Sequence, residues 1–115
     1  MKKNQILSAL FLLFILFSCS APTSEKIIGE WTCVECGENV GEYTIKFEVG
    51  GDFTLYDERI NYIGTWELQS ESSVKITYSN TDLGLTFYFI EDLSDDELIV
   101  DDRRNRIVFK RKEAE

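Results

Sequence analysis

The chain has 115 residues, no histidine, one proline (Pro22), one methionine (Met1) and a formal charge of −9. Such a length holds one domain at most, and without imidazole the serine-type triads, His-based zinc sites and histidine acid/base chemistry fall away. Lys+Arg 12 against Asp+Glu 21 argues against a nucleic-acid partner, because phosphate backbones are bound by cations that displace counterions.

Lys2 and Lys3 lead into an apolar run from Ile6 to Phe17, broken only by Ser8, that ends at Ser18-Cys19. A charged start, a short apolar stretch and a small residue before a cleavage point describe a secretory signal. The run falls short of the roughly 20 apolar residues that span a bilayer. Leu16-Phe17-Ser18-Cys19 resembles the lipobox of bacterial lipoproteins. The resemblance implies that the Cys19 thiol carries acyl chains of the palmitate type and that residues 1–18 are removed. The alternatives are ordinary cleavage near Ser20-Ala21, which discards Cys19, and an uncleaved anchor. Loss of Lys2 and Lys3 takes the formal charge from −9 to −11 on a mature chain that starts at Cys19. Residues 19–26 then form the lipidated N-terminus and a polar tether, in which Pro22 discourages helix. Ser20 after the lipid Cys resembles the pattern of lipoproteins sent to the outer membrane. The implied location is therefore the bacterial cell envelope, at the outer membrane.

Residues 27–115 read as strands throughout. In Tyr43-Thr44-Ile45-Lys46-Phe47-Glu48-Val49 every odd position is apolar and every even one polar, the period of a half-buried strand. Gly50-Gly51 predicts a two-residue turn with φ > 0 at both positions, and the chain returns as Asp52–Asp57. Six further strands are predicted at Ile28–Cys33, Tyr62–Leu68, Ser73–Tyr78, Leu85–Leu93, Glu97–Asp101 and Arg106–Arg111. Eight short antiparallel strands close as an up-and-down barrel, which removes the sheet edges, or split into a small β-sandwich. The predicted inward set is Trp31, Tyr43, Ile45, Phe47, Phe53, Leu55, Trp66, Leu68, Val74, Ile76, Leu98, Val100, Ile107 and Phe109. Leu85–Leu93 is apolar on both faces and its orientation stays open.

Gly29-Glu30-Trp31 opens the first strand, and Gly64-Thr65-Trp66-Glu67-Leu68 and Ile90–Leu98 follow later. These segments resemble the small lipocalin-like domains of bacterial lipoproteins. The resemblance implies an all-β fold: an eight-stranded antiparallel meander closing as a small barrel. It also implies that Trp31 packs across the closed end beneath a basic residue of the last strand, either Arg106 or Arg111. As in lipocalins, a small apolar molecule would be held inside, lined by Trp31, Phe47, Phe53, Trp66 and Phe87. Small eight-stranded barrels are, however, also filled by their own side chains.

Cys33-Val34-Glu35-Cys36 admits a redox pair, half a zinc site or a disulfide. Nearby Glu35, Glu38 and Glu42 oppose the lowered thiol pKa of a redox pair. Zinc lacks its other ligands. The oxidising exported compartment favours a structural disulfide between Cys33 and Cys36. Acidic groups at Glu91-Asp92, Asp95-Asp96-Glu97 and Asp101-Asp102 lack the calcium-loop order and read as solvated strand flanks. No metal or cofactor is implied, and no serine or threonine has a base to activate it, so the expected role is non-catalytic. Two functions remain. One is an envelope lipoprotein that binds a small apolar molecule in its barrel. The other is an acidic surface protein or inhibitor with a solid interior, whose charge meets a cationic protein partner.

Overall fold

The computed structural model describes residues 21–112. Cys19 and the predicted signal lie outside them. A single helical turn, α1 (Thr23–Lys26), precedes eight strands: β1 (Gly29–Glu35), β2 (Thr44–Phe47), β3 (Asp52–Tyr56), β4 (Asn61–Ser70), β5 (Ser73–Tyr78), β6 (Leu85–Leu93), β7 (Glu97–Asp101) and β8 (Arg106–Arg111). Each strand pairs antiparallel with the next, and β1 pairs with β8. The result is a closed barrel rather than a sandwich.

Closure follows from the alternation. One side of every strand carries apolar side chains, and a sheet of this width buries that side most completely by curling on itself. Ile45, Phe47, Phe53, Val74, Ile76, Leu98, Val100 and Phe109 are all fully buried. Single-residue bulges sit at Val34, Gln69 and Glu91, where the registers of β1–β8, β4–β5 and β6–β7 shift. Such bulges increase local twist and help a sheet of few strands to close.

Two local expectations change. The β2–β3 connection is a four-residue link, Glu48-Val49-Gly50-Gly51. The Gly51 N–H donates to the Glu48 carbonyl (3.0 Å), and Glu48 N–H donates to Asp52 (2.9 Å). Of the two glycines only Gly51, at φ +96°, needs its freedom from a Cβ. Val49 is thereby ejected to 85% exposure. The expected tether also carries a helical turn. Pro22 precedes α1 with an extended backbone, and its carbonyl accepts the N–H groups of Glu25 (3.0 Å) and Lys26 (3.2 Å). Proline there starts a helix rather than preventing one, since the first N–H groups have no intrahelical partner.

α1 and the links 48–51, 71–72 and 94–96 lie at one end of the barrel, with Ile27 buried beneath them. The links 36–43, 57–60, 79–84 and 102–105 lie at the other. The first is called the closed end and the second the open end.

Candidate functional site

At the closed end, Gly29, Trp31 and Arg111 form one unit. Trp31 is fully buried, and its indole N–H donates to the Ile27 carbonyl at 2.9 Å. The Arg111 guanidinium lies 4.1 Å from the indole ring centroid. It also donates to the carbonyls of Ile28 (2.8 Å) and Lys26 (2.7 Å). These bonds tie β8 to the chain entering β1 and satisfy backbone groups that the barrel end would otherwise strand. Gly29 stands at φ +127°, and a Cβ there would come within 2.6 Å of the Arg111 Nη1. The glycine of Gly-x-Trp therefore clears the path of the guanidinium. Of the two predicted arginines, Arg111 takes this role, while Arg106 points outward to Glu91 at 3.1 Å.

Four of the five predicted lining residues come together. Phe47 and Phe53 are fully buried and meet edge to face at 5.2 Å, and Phe47 meets the half-buried Trp66 at 5.4 Å. The Trp66 indole N–H donates to the Glu48 carbonyl at 2.9 Å, which fixes its ring at the closed end. With Trp31 these rings fill the lower barrel with one another. Phe87 is a correction. It pairs with Lys75 on the outer wall, whereas the neighbouring pair Val74 and Tyr88 points inward. Strand parity forces this, because a one-residue step reverses the face.

The upper barrel is aromatic and hydroxylic. Tyr78 meets Phe53 at 5.9 Å and Tyr62 at 6.0 Å, while Tyr43 and Tyr88 meet Phe109 at 5.9 and 6.2 Å. Of these tyrosines the sequence placed only Tyr43 inside. Tyr62, Tyr78 and Tyr88 share parity with Gly64, Ile76 and Ile90, the signal that could have found them. Burial pushes the Tyr78 phenol up to about 12, and burial above all raises those of Tyr43 and Tyr88, with the nearby Asp102 charge acting in the same sense.

Raised phenol pKa values set an alkaline limit. A phenol whose folded pKa exceeds its unfolded one holds its proton longer when folded, so its stabilisation is complete below about pH 10. It is lost as pH rises toward the folded value near 12. A tenfold gain in proton affinity on folding corresponds to about 1.4 kcal/mol. The phenolate absorbance at 295 nm contributed by Tyr43, Tyr78 and Tyr88 should therefore appear in a cooperative step coincident with loss of near-ultraviolet circular dichroism. Ionisation of these three tyrosines with the fold retained would contradict it.

Three concavities stand out on the described residues, and none is lined by Trp31, Phe47 or Phe53. The largest, about 630 Å³, lies at the rim of the open end between the β1–β2 and β3–β4 links. Glu42, Asp57 and Glu58 border it beside Tyr43, Tyr56 and a single cation, Arg59. The Asp57 carboxylate accepts the N–H groups of Arg59 (2.6 Å) and Ile60 (2.8 Å), which hold its pKa below the usual range. A Cys33–Cys36 disulfide closes the end of β1, and Tyr43 N–H donates to the Cys33 Sγ at 3.3 Å. The rim is thus held by short local bonds on both sides. Among the described residues no three His, Cys, Asp or Glu side chains gather as a metal site.

Neither a protein-family model nor a curated protein sequence matches the chain. Its structure is similar to that of a lipocalin-like protein from Bacteroides uniformis, with a TM-score of 0.60 and 16% sequence identity. The match covers 76% of this chain and 99% of the other. At that identity the likeness speaks for the fold, and the fold of this chain is lipocalin-like: a closed, eight-stranded antiparallel barrel carrying a Gly-x-Trp unit under an arginine of its last strand.

Proposed function

We propose that the chain is a non-catalytic binding protein of the bacterial cell envelope, held in the outer membrane by acyl chains on Cys19, that meets a cationic partner at the rim of its open end. The packing of the barrel carries this reading. Trp31, Phe47, Phe53 and Phe109 have no exposed surface, which favours the outside of the barrel over its interior as the binding surface. The rim offers carboxylates on Glu42 and Glu58 together with the Tyr43 ring, while the Tyr56 ring already carries Lys112 at 5.7 Å. Carboxylates beside aromatic faces suit ammonium and guanidinium groups, which gain from ion pairing and from the ring quadrupole together. A mature charge of −11 speeds the approach of such a partner.

The experiment uses the acylated protein with hen lysozyme and an oligolysine peptide as cationic probes. Binding should weaken about tenfold as ionic strength rises from low salt past physiological values. A Glu42→Gln/Glu58→Gln variant should bind several-fold less well at low salt. Salt-insensitive binding, or no effect of the double variant, would refute the rim. A small apolar molecule retained by the intact protein in native mass spectrometry would instead restore the interior as the binding site.

A further inference from the structure

The outer wall of β6 departs from the pattern of its neighbours. Outward positions of an antiparallel barrel face water and are usually polar. β5 presents Ser73, Lys75 and Thr77 there, and β4 presents Thr65 and Glu67 with one apolar residue, Ile63. The outward positions of β6 are Leu85, Phe87 and Phe89. Leu85 is 53% exposed, Phe89 36%, and Leu83 in the preceding link 55%. Alternate residues on a strand lie about 6.8 Å apart, so the three side chains of β6 make a stripe about 14 Å long.

Cations flank this stripe. The Arg103 guanidinium lies over the Phe89 ring, 5.1 Å from its centroid. Arg103 holds φ +78°, a left-handed conformation that glycine or asparagine adopts with less strain. The facing carboxylates are already engaged. Asp101 accepts Arg103 N–H (2.6 Å), and Asp102 accepts the N–H groups of Arg104 (2.9 Å) and Asn105 (2.8 Å). Lys75, from β5, pairs with Glu67 at 3.7 Å. Among the described residues neither the Arg103 nor the Arg104 guanidinium has a carboxylate within 4.0 Å. Two guanidinium groups without an ion-pair contact among the described residues thus stand beside an apolar outer stripe, next to the Asp101 and Asp102 carboxylates in the chain.

The chain also enters the barrel at one end of that stripe. Thr23 Oγ1 donates to the Glu71 carbonyl at 2.8 Å. The next carbonyl, that of Ser72, accepts the N–H of Ile90 at 2.7 Å, the residue after Phe89. Four residue steps separate Cys19 from Thr23, a reach of about 14 Å at full extension.

We propose that the mature protein lies on its side on the membrane that holds its acyl chains, with the outer wall of β6 seated in the headgroup layer. Leu83, Leu85, Phe87 and Phe89 enter the acyl boundary, and Arg103 and Arg104 meet anionic lipid phosphates. The proposal rests on the lipid-anchor reading above. In a ring of eight strands β2 stands opposite β6, so this posture turns the rim groove beside β2 and β3 away from the bilayer.

Reporter tryptophans test it. Phe89→Trp and Val49→Trp, the latter at the β2–β3 turn of the closed end, are read separately in acylated protein. The vesicles contain phosphatidylglycerol and lipids with brominated acyl chains, and the signal of unsubstituted protein is subtracted. Bromine should quench Phe89→Trp about threefold more than Val49→Trp, as insertion to the headgroup boundary requires. Adding Arg103→Asn and Arg104→Gln to Phe89→Trp should remove most of that difference. Equal or greater quenching of Val49→Trp, in protein that floats with the vesicles, overturns the side-lying posture and leaves the anchor standing. Protein that does not float with the vesicles overturns the anchor reading and this inference with it. Concentration-dependent dimers abolished by Leu85→Asp would assign the stripe to a second copy and also overturn it.

Discussion

Gly64→Ala should be among the most destabilising single substitutions in the barrel. Gly64 lies in the middle of β4, paired with Phe53 on one side and Tyr78 on the other, and faces the interior. A Cβ there would fall against the Thr77 carbonyl and lie 2.9 Å from the Tyr78 Cα. Those are backbone atoms of the adjacent strand, so no side-chain rotation relieves the clash. The strands would have to part where the Phe53 and Tyr78 rings meet at 5.9 Å. Overpacking of a core costs about 1–3 kcal/mol when side chains can yield, and a backbone clash belongs at or above the top of that range. Against a domain stability of about 5–15 kcal/mol, the loss is a large fraction. The melting midpoint should fall by about 15 °C or more. Gly41→Ala is the matched control, because its Cβ meets nothing within 4 Å. Equal melting of the two variants would show that β4 and β5 can separate locally at little cost.

Trp31→Ala is expected to be about as damaging for a different reason. The substitution removes a fully buried indole from beneath Arg111 and deprives the Ile27 carbonyl of its donor. Large aromatic truncations in cores cost about 3–5 kcal/mol, since the cavity adds to the lost transfer energy. Urea unfolding should show a midpoint shift of that size with an unchanged slope. Trp31→Phe keeps a ring under the guanidinium and loses mainly the N–H bond, for about 1–2 kcal/mol. If Phe and Ala were equally destabilising, the indole N–H rather than the ring would be the main contribution.

Strand positions were legible to an unusual degree, and the reason is local. β5, β6, β7 and β8 fall on the predicted residues because each is bounded by a polar or glycine-bearing link that breaks the ladder on both sides. β1 runs two residues beyond its predicted end at Cys33. The bulge at Val34 lets Glu35 keep pairing with Val108 after the alternation has slipped. The face of β6 was not legible, because Phe87 and Phe89 alternate with Tyr88 and Ile90 and hydrophobicity alone cannot say which pair is inside. Registry with β5 decides it, and registry is a property of two strands rather than one. The candidate site was less readable still. The rim groove joins the β1–β2 link to the β3–β4 link, and nothing in either segment announces the other. The choice of Arg111 over Arg106 likewise depends on parity: Arg111 shares its face with Ile107 and Phe109, while Arg106 is on the opposite side.

The pairing of β1 with β8 gives the barrel a seam. Seven of the eight ladders join neighbours in sequence and can form as hairpins, each after closing a short loop. The eighth brings Trp31 opposite Arg111, across nearly the full length of the described chain. Closing so long a loop is slow, so the seam is expected to form late. Until it does, β1 and β8 are both open edges, ready to pair with strands of another molecule. Arg111 bonds across this seam, to the carbonyls of Lys26 and Ile28. The arginine over Trp31 is therefore also a fastener for the final step of folding, and its loss would prolong the interval in which the chain presents two unpaired edges.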